Sequence, residues 1–138
     1  QIAFECRGGD SHPEIFVINF NGTGFAQLTT ATNSLDGDTN PSINNSGQIV
    51  YECENDDNLT EICVINFNGT GFAQLTAAAN ADDEDANPII NNSGQIVYEC
   101  EGGDGLREIC VINFDGTGFA QLTTAASADD EDFNPSIN

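Results

Sequence analysis

Gln48-Ile49-Val50-Tyr51-Glu52-Cys53 and, after a polar gap, Glu61-Ile62-Cys63-Val64-Ile65-Asn66-Phe67-Asn68-Gly69-Thr70 together decide the architecture of this chain. Both runs are short, rich in β-branched and aromatic residues, and bounded by Asn, Asp and Gly, the pattern of two strands joined as a hairpin. Centring the hairpin on Asn58 sets Ile49 opposite Phe67, Tyr51 opposite Ile65 and Cys53 opposite Cys63, which makes one face wholly apolar. Asn68-Gly69 predicts a type I′ turn, with positive φ at both central residues, into a third short strand over residues 71–76. A fourth short strand falls over residues 88–91.

The same reading recurs along the chain. Gln1, Gln48 and Gln95 open matching segments, so the 138 residues divide into copies of 47 residues, 1–47, 48–94 and 95–138. Each copy carries Val-Ile-Asn-Phe-(Asn/Asp)-Gly-Thr-Gly-Phe-Ala-Gln-Leu-Thr, from Val17, Val64 and Val111, then an Asp-rich loop, then Asn-Pro-(Ser/Ile)-Ile-Asn. A period of about 40 to 50 residues with several short β-type runs fits one four-stranded propeller blade, whereas helical repeats would space apolar residues by three and four. The fold class is therefore all-β, a propeller with one blade per repeat.

Ile2-Ala3-Phe4, Ile15-Phe16-Val17-Ile18-Asn19, Asn21-Gly22-Thr23, Leu28-Thr29 and Pro41-Ser42, with their counterparts in the later copies, resemble the TolB-type (PD40) β-propeller repeat. The resemblance covers essentially the whole chain. It departs at Ile43-Asn44-Asn45-Ser46-Gly47, where the family pattern carries Trp-Ser-Pro-Asp-Gly, so packing near the axis must differ. The resemblance implies six blades. If Pro-(Ser/Ile)-Ile is the innermost strand, the chain begins at the second strand of a blade and ends, at Pro135 to Ile137, with an innermost strand that has no blade of its own. Three blades do not close a ring, so a second copy is expected to complete six blades by exchanging terminal strands, with open head-to-tail stacking as the rival. The chain opens at Gln1 without Met and stops at Asn138, where earlier copies continue Asn-Ser-Gly, which suggests a segment of a longer array.

Cys6, Cys53 and Cys100 share one repeat position; Cys63 and Cys110 share another, where the first copy has Phe16. The hairpin register predicts Cys53–Cys63 and Cys100–Cys110 disulfides, and with them an oxidising, extracellular compartment. Five small buried apolar side chains are the plain alternative. Zinc is disfavoured because Cys-x-x-Cys spacing is lacking and the one histidine, His12, reads as an exposed loop residue.

Asp-x-Asp-x-Asn-Pro occurs in each copy: Asp36, Asp38 and Asn40; Asp83, Asp85 and Asn87; Asp130, Asp132 and Asn134. Alternate oxygens of this kind suit a hard cation, and calcium is the expected ion, although the copies lack the glycine and closing glutamate of an EF-hand. Asx turns leading into the innermost strand, beside solvated loop charge, are the other reading. Five sequons for N-linked glycans fall at Asn21, Asn44, Asn58, Asn68 and Asn91.

Two basic residues, Arg7 and Arg107, face 23 acidic ones, giving a formal net charge of −21. Such a chain repels nucleic acid and anionic lipid, and it invites screening by cations. No apolar run is long enough to span a bilayer, so no membrane insertion is expected and the chain reads as soluble. Nothing resembling a catalytic constellation appears, and near-identical copies give symmetric surfaces where an active site needs convergent, different groups. The expected function is a non-enzymatic extracellular structural or adhesive module whose partner is itself, as a homodimer or an open-ended homopolymer, with glycans attached. The alternative is a six-bladed ligand- or protein-binding propeller with an acidic, cation-binding channel mouth.

Overall fold

A computed structural model describes residues 1–7, 12–30, 37–54, 59–77, 84–101, 105–124 and 131–138. Among them there is no helix, and hence none long and apolar enough to cross a membrane. The strands are β1 (Ile2–Arg7), β2 (Pro13–Ile18), β3 (Ala26–Gln27), β4 (Thr39–Ile43), β5 (Gln48–Glu54), β6 (Thr60–Asn66), β7 (Ala73–Gln74), β8 (Ala86–Ile90), β9 (Gln95–Glu101), β10 (Arg107–Asn113) and β11 (Ala120–Gln121). They form a three-stranded antiparallel sheet β1-β2-β3 and two four-stranded sheets, β4-β5-β6-β7 and β8-β9-β10-β11. Each four-stranded sheet takes its first strand from the end of one sequence copy and the other three from the next. The Asn-Pro-(Ser/Ile)-Ile segments are thus the inner strands, as expected.

Packing is sheet on sheet. Ile15 and Val17 of the first sheet meet Ile49, Tyr51, Cys53, Cys63 and Ile65 of the second. The other face of the second sheet, Val50, Ile62 and Val64, meets Ile90, Ile96, Tyr98, Cys100, Cys110 and Ile112 of the third. Alternate residues of β5 and β6 therefore point into different cores, and residues 49–53 are all buried. The sequence pattern predicts one apolar face; the middle sheet has two, because it is sandwiched.

Two local expectations are corrected. The β5–β6 register pairs Ile49 with Ile65, Tyr51 with Cys63 and Cys53 with Glu61, so the hairpin centres one residue earlier than Asn58 and every pair moves by two. A shift of two keeps each side chain on its face. Cys53 and Cys63 become diagonal rather than opposite neighbours, and they still bond, with Cα atoms 5.8 Å apart, as do Cys100 and Cys110; that distance lies within the range a disulfide bridges. The turn at Asn68-Gly69 is not type I′, because only Gly69 (φ 79°) has positive φ there. Gly69 N donates to Asn66 O at 2.8 Å and Asn66 N to Thr70 O at 2.9 Å. This is a type I turn closed by a left-handed glycine, and the Asn68 side chain stays free to accept from the Thr70 amide and hydroxyl.

Replacing Cys53 and Cys63 together by Ala should lower stability by about 3 kcal/mol on the chain-entropy estimate. The Cys100/Cys110 pair should behave alike, and the two losses should add because the bridges lie in different sheets. Urea unfolding of the three variants checks both the size and the additivity.

Candidate assembly interface

Asn40, Asn87 and Asn134 are the described non-glycine residues with positive φ, at 50°, 53° and 54°. Asparagine is one of the few side chains that tolerates this region, and the proline that follows has no amide to lose from the ladder. The register between β4 and β5 slips between Thr39 and Ser42, a bulge that places Asn40 and Pro41 opposite one residue. Its effect is to aim the asparagine amide out of its own sheet. Asn40 N donates to Glu5 Oε2 at 3.1 Å, Asn87 N to Glu52 Oε1 at 2.7 Å, and Asn134 N to Glu99 Oε1 at 2.7 Å. Each acceptor belongs to the preceding sheet.

Glu52 shows what the latch joins. Its Oε2 accepts from Thr39 Oγ1 at 2.8 Å and Asn40 Nδ2 at 2.7 Å, while Oε1 takes the Asn87 amide. One carboxylate, 8% exposed, thus holds β4 and β5 of its own sheet and the first turn of the next sheet's inner strand. Backbone bonds run alongside: Asp38 N to Pro13 O, Asp85 N to Thr60 O and Asp132 N to Arg107 O, at 2.8 to 2.9 Å. At the far end of the inner strands, Asn44 Nδ2 donates to Asn91 O at 3.0 Å and Asn91 Nδ2 to Asn138 O at 3.3 Å. The latch, the backbone bonds and this asparagine ladder recur at one repeat period and together make up the seam between blades.

A second row of carboxylates anchors the short outer strands. Glu14, Glu61 and Glu108 are at most 1% exposed, and each accepts from a threonine hydroxyl, Thr29, Thr76 and Thr123, at 2.7 Å. The same hydroxyls accept the amides of Ile15, Ile62 and Ile109. Sequence reading missed both rows, since a glutamate alternating with apolar residues looks like a solvent-facing position. The signal that could have found them is their presence in all copies amid otherwise variable acids.

The candidate site residues divide by position. Asp36, Asp83, Asp130 and Asn58 lie outside the described residues. Asp38 and Asp85 are buried, Asp132 and Asn134 exposed or nearly so, and Asn40, Asn87 and Asn134 serve the seam as above. Among the described residues no group of three or more His, Cys, Asp or Glu gathers to hold a metal. Asn21 and Asn68 sit on exposed turns. Asn44 and Asn91 are buried, and the Nδ2 atoms a glycan would take are already committed, to Gln48 Oε1 and Gln95 Oε1 as well as along the ladder. In the third copy Asp115 replaces the turn asparagine, and the Thr117 hydroxyl and amide hold its carboxyl below the ordinary carboxylate range. Cys6 is a free, exposed thiol. His12 is half-buried beside the start of β2, not fully exposed.

Cavities follow the seams. One of about 390 Å³ between the first two sheets is lined by Leu28, Asp38, Tyr51, the Cys53–Cys63 bridge and Phe72. Its counterpart of about 350 Å³ repeats the set with Leu75, Asp85, Tyr98, Cys100–Cys110 and Phe119. Along the inner strands, Asn40, Pro41, Asn87, Pro88, Asn134 and Pro135 border a further space of about 420 Å³. That inner wall is neutral in its described lining; most of the Asp-rich loop sequence, on which the acidic channel mouth is expected, lies outside the described residues.

Replacing Glu52 by Ala should cost about 2 to 3 kcal/mol, because it strands a buried amide and two side-chain donors. Glu52→Gln keeps one acceptor oxygen and should cost less. Chemical denaturation of the two variants tests the ranking.

No protein-family model and no curated protein matches the sequence. Solved structures do match by shape. A protein assigned as TolB from Agrobacterium tumefaciens superposes with a TM-score of 0.70 at 13% identity, over 90% of this chain and 42% of its own. TolB from Acinetobacter baumannii gives 0.59 at 18% identity, over 80% of this chain and 26% of its own. The tricorn protease gives 0.61 at 17% identity, over 91% of this chain and 11% of its own. The chain thus spans less than half the length of each. At these identities the likeness concerns shape, and it is shared by proteins named as peptidases and proteins named TolB. The fold of this chain is that of the TolB-type β-propellers.

Proposed function

We propose that the chain is a non-enzymatic, extracellular structural or adhesive propeller module that assembles through its own seam. The observation that carries this is the pair of unfilled halves. β1 is the edge of a sheet that lacks an inner strand, while residues 131–138 lie on the third sheet through the contacts an inner strand makes with the blade before it, at Asn134 to Glu99, Asp132 to Arg107 and Asn91 to Asn138. An open edge recruits a strand. The β8–β9 pairing, carried over by one repeat period, sets Ser136 against Ala3, Ile137 against Ile2 and Phe133 against Glu5 of the following unit, whether that unit lies in the same chain or in another copy.

The compartment follows from the two disulfides, which persist where the surroundings are oxidising. Glycans belong on Asn21 and Asn68, whose exposed turns face away from the cores. Cations, calcium among them, favour assembly by screening the charge of −21. Against catalysis stands the repetition itself: every described seam repeats the same asparagine-amide-to-glutamate latch, and one histidine and two arginines serve the whole chain. A closed ring of two copies, with a ligand held along the neutral inner wall, is the second reading, supported by the space bordered by Asn40, Asn87 and Asn134.

Sedimentation velocity and negative-stain imaging of the 138-residue chain test the proposal. Assembly should grow with concentration and with moderate salt, and Ile137→Asp should abolish it while leaving both disulfides and the melting transition in place. Filaments favour the structural reading and discrete particles of twice the chain mass the closed ring. A monomer at every concentration and salt level would sink self-assembly. Enzymatic deglycosylation should remove mass from Asn21 and Asn68 peptides and none from Asn44 or Asn91.

A further inference from the structure

The copies differ where blades meet at the outer end of the seam, and the differences are matched in charge. At that place the middle residue of the Asp-x-Asp loop, Gly37, Glu84 or Glu131, approaches the end of the central hairpin of the following blade. The hairpin end is a cross-strand pair, Glu54 with Thr60 in the second sheet and Glu101 with Arg107 in the third. Gly37 faces the first of these: a Cβ there would lie 4.0 Å from Glu54 Oε2. Glu84 faces the second and is met by Arg107, Nη2 to Oε2 3.3 Å, with the other guanidinium nitrogen 3.7 Å from Glu99. The middle residue of the loop is therefore neutral where the facing hairpin end carries no cation, and acidic where it carries an arginine.

The third loop has Glu131, exposed on the outer side of the last sheet. The hairpin end not yet matched is that of the first sheet, where Arg7 pairs across the strands with Pro13. Arg7 occupies the position of Glu54 and Glu101, is exposed, and makes no ion pair with any described residue. Both arginines of the chain thus stand at hairpin ends of the kind that faces a loop glutamate.

The apolar surfaces around these charges are matched as well. Leu28 and Leu75 pack against the next sheet at the two internal seams, whereas their counterpart Leu122 is 59% exposed. The face it should meet carries Ile2, 40% exposed, and the cluster Phe4, Phe16 and Phe25, with ring centroids 5.3 to 6.2 Å apart. Phe4 and Phe16 stand where the later blades have a tyrosine and half of a disulfide.

We propose that the first copy of the repeat is specialised to receive the third copy of another unit of this chain, with Arg7 pairing with Glu131 of that second copy as Arg107 pairs with Glu84 inside the chain. This rests on the self-assembly reading and adds to it a direction and a register: the 131–138 side of one copy meets the β1 face of the next. Pairing of a rim charge of this kind governs specificity and salt dependence more than total affinity.

The test is a charge swap on the 138-residue chain, read by sedimentation velocity over a concentration series at low and moderate salt. Arg7→Glu sets acid against acid and should weaken association about tenfold at low salt, with less effect at high salt. Glu131→Arg should weaken it similarly, and the double variant, which restores an opposite-charge pair at every junction, should recover wild-type association. Thiol titration and circular dichroism of each variant establish that both disulfides and the fold are intact. A wild-type chain that stays monomeric would overturn the assembly reading itself. A wild-type chain that assembles, with association unchanged by Arg7→Glu or not recovered in the double variant, would overturn the Arg7–Glu131 contact alone.

Discussion

A backbone amide held in left-handed conformation and donated to a glutamate carboxylate of the preceding blade is the constraint from which the rest of the molecule follows. Asn40, Asn87 and Asn134 supply the amide; Glu5, Glu52 and Glu99 receive it. The amide points outward only because φ is positive, φ is tolerated because the residue is asparagine, and the bulge this creates is harmless because the next residue is proline, which has no ladder hydrogen bond to forfeit. At Glu52 and Glu99 the carboxylate in turn is taken out of water, so every donor aimed at it must be present or the charge becomes costly. Among the described residues no buried polar side-chain atom is left without a partner. The relative placement of adjacent sheets is thereby fixed by a charged contact at one end, the asparagine ladder at the other, and apolar packing between.

How much of this could be read beforehand depends on how local each feature is. The repeat period, the strands and the choice of inner strand were legible, because β-branched runs and turn residues recur at fixed offsets. The cysteine pairs were legible for a looser reason: the register was misjudged by two residues, yet a shift of two preserves the face, and a diagonal pair with Cα atoms 5.8 Å apart still bonds. The turn type was not legible, since Asn-Gly suits both a type I′ turn and a type I turn ending in a left-handed glycine. The seam escaped because its acceptors look like solvent-facing members of alternating strands. Glu52, for example, stands between Tyr51 and Cys53 in what reads as an alternating strand, and it is buried where Thr39, Asn40 and Asn87 donate to it from two inner strands.

The acidity of the chain accordingly has two parts with opposite consequences. Glu14, Glu52, Glu61, Glu99 and Glu108 lie within the structure and act as acceptors that organise backbone; they hold the fold and add nothing to solvent contact. Of the described Asp-x-Asp residues, Glu131 is exposed, while Asp38 and Asp85 are buried and donate their amides across the seam. The asparagine of the same motif belongs to the first group. One short motif therefore spans both roles, and reading it as a uniform ligand set for a cation obscures its structural half.

Near-identity between copies tends to make every seam interchangeable, and that is a hazard for the proposed assembly, in which chains join in one order. A heterologous seam propagates unless its rotation closes a circle, and with identical copies any blade could take up any other's inner strand, giving misregistered assemblies. The departures from identity fall where they remove this degeneracy. Phe16 replaces the second cysteine only in the first copy, Gly37 replaces the loop glutamate only in the first loop, and the two arginines occupy different corners of the hairpin end. Because each chain would add a charge of −21 to such an assembly, long-range repulsion opposes every junction alike and selects none. Selection would have to come from short-range matching, and the proposed pairing of a single arginine with a glutamate, framed by apolar surface, would discriminate between otherwise equivalent junctions in a way that uniform blades could not.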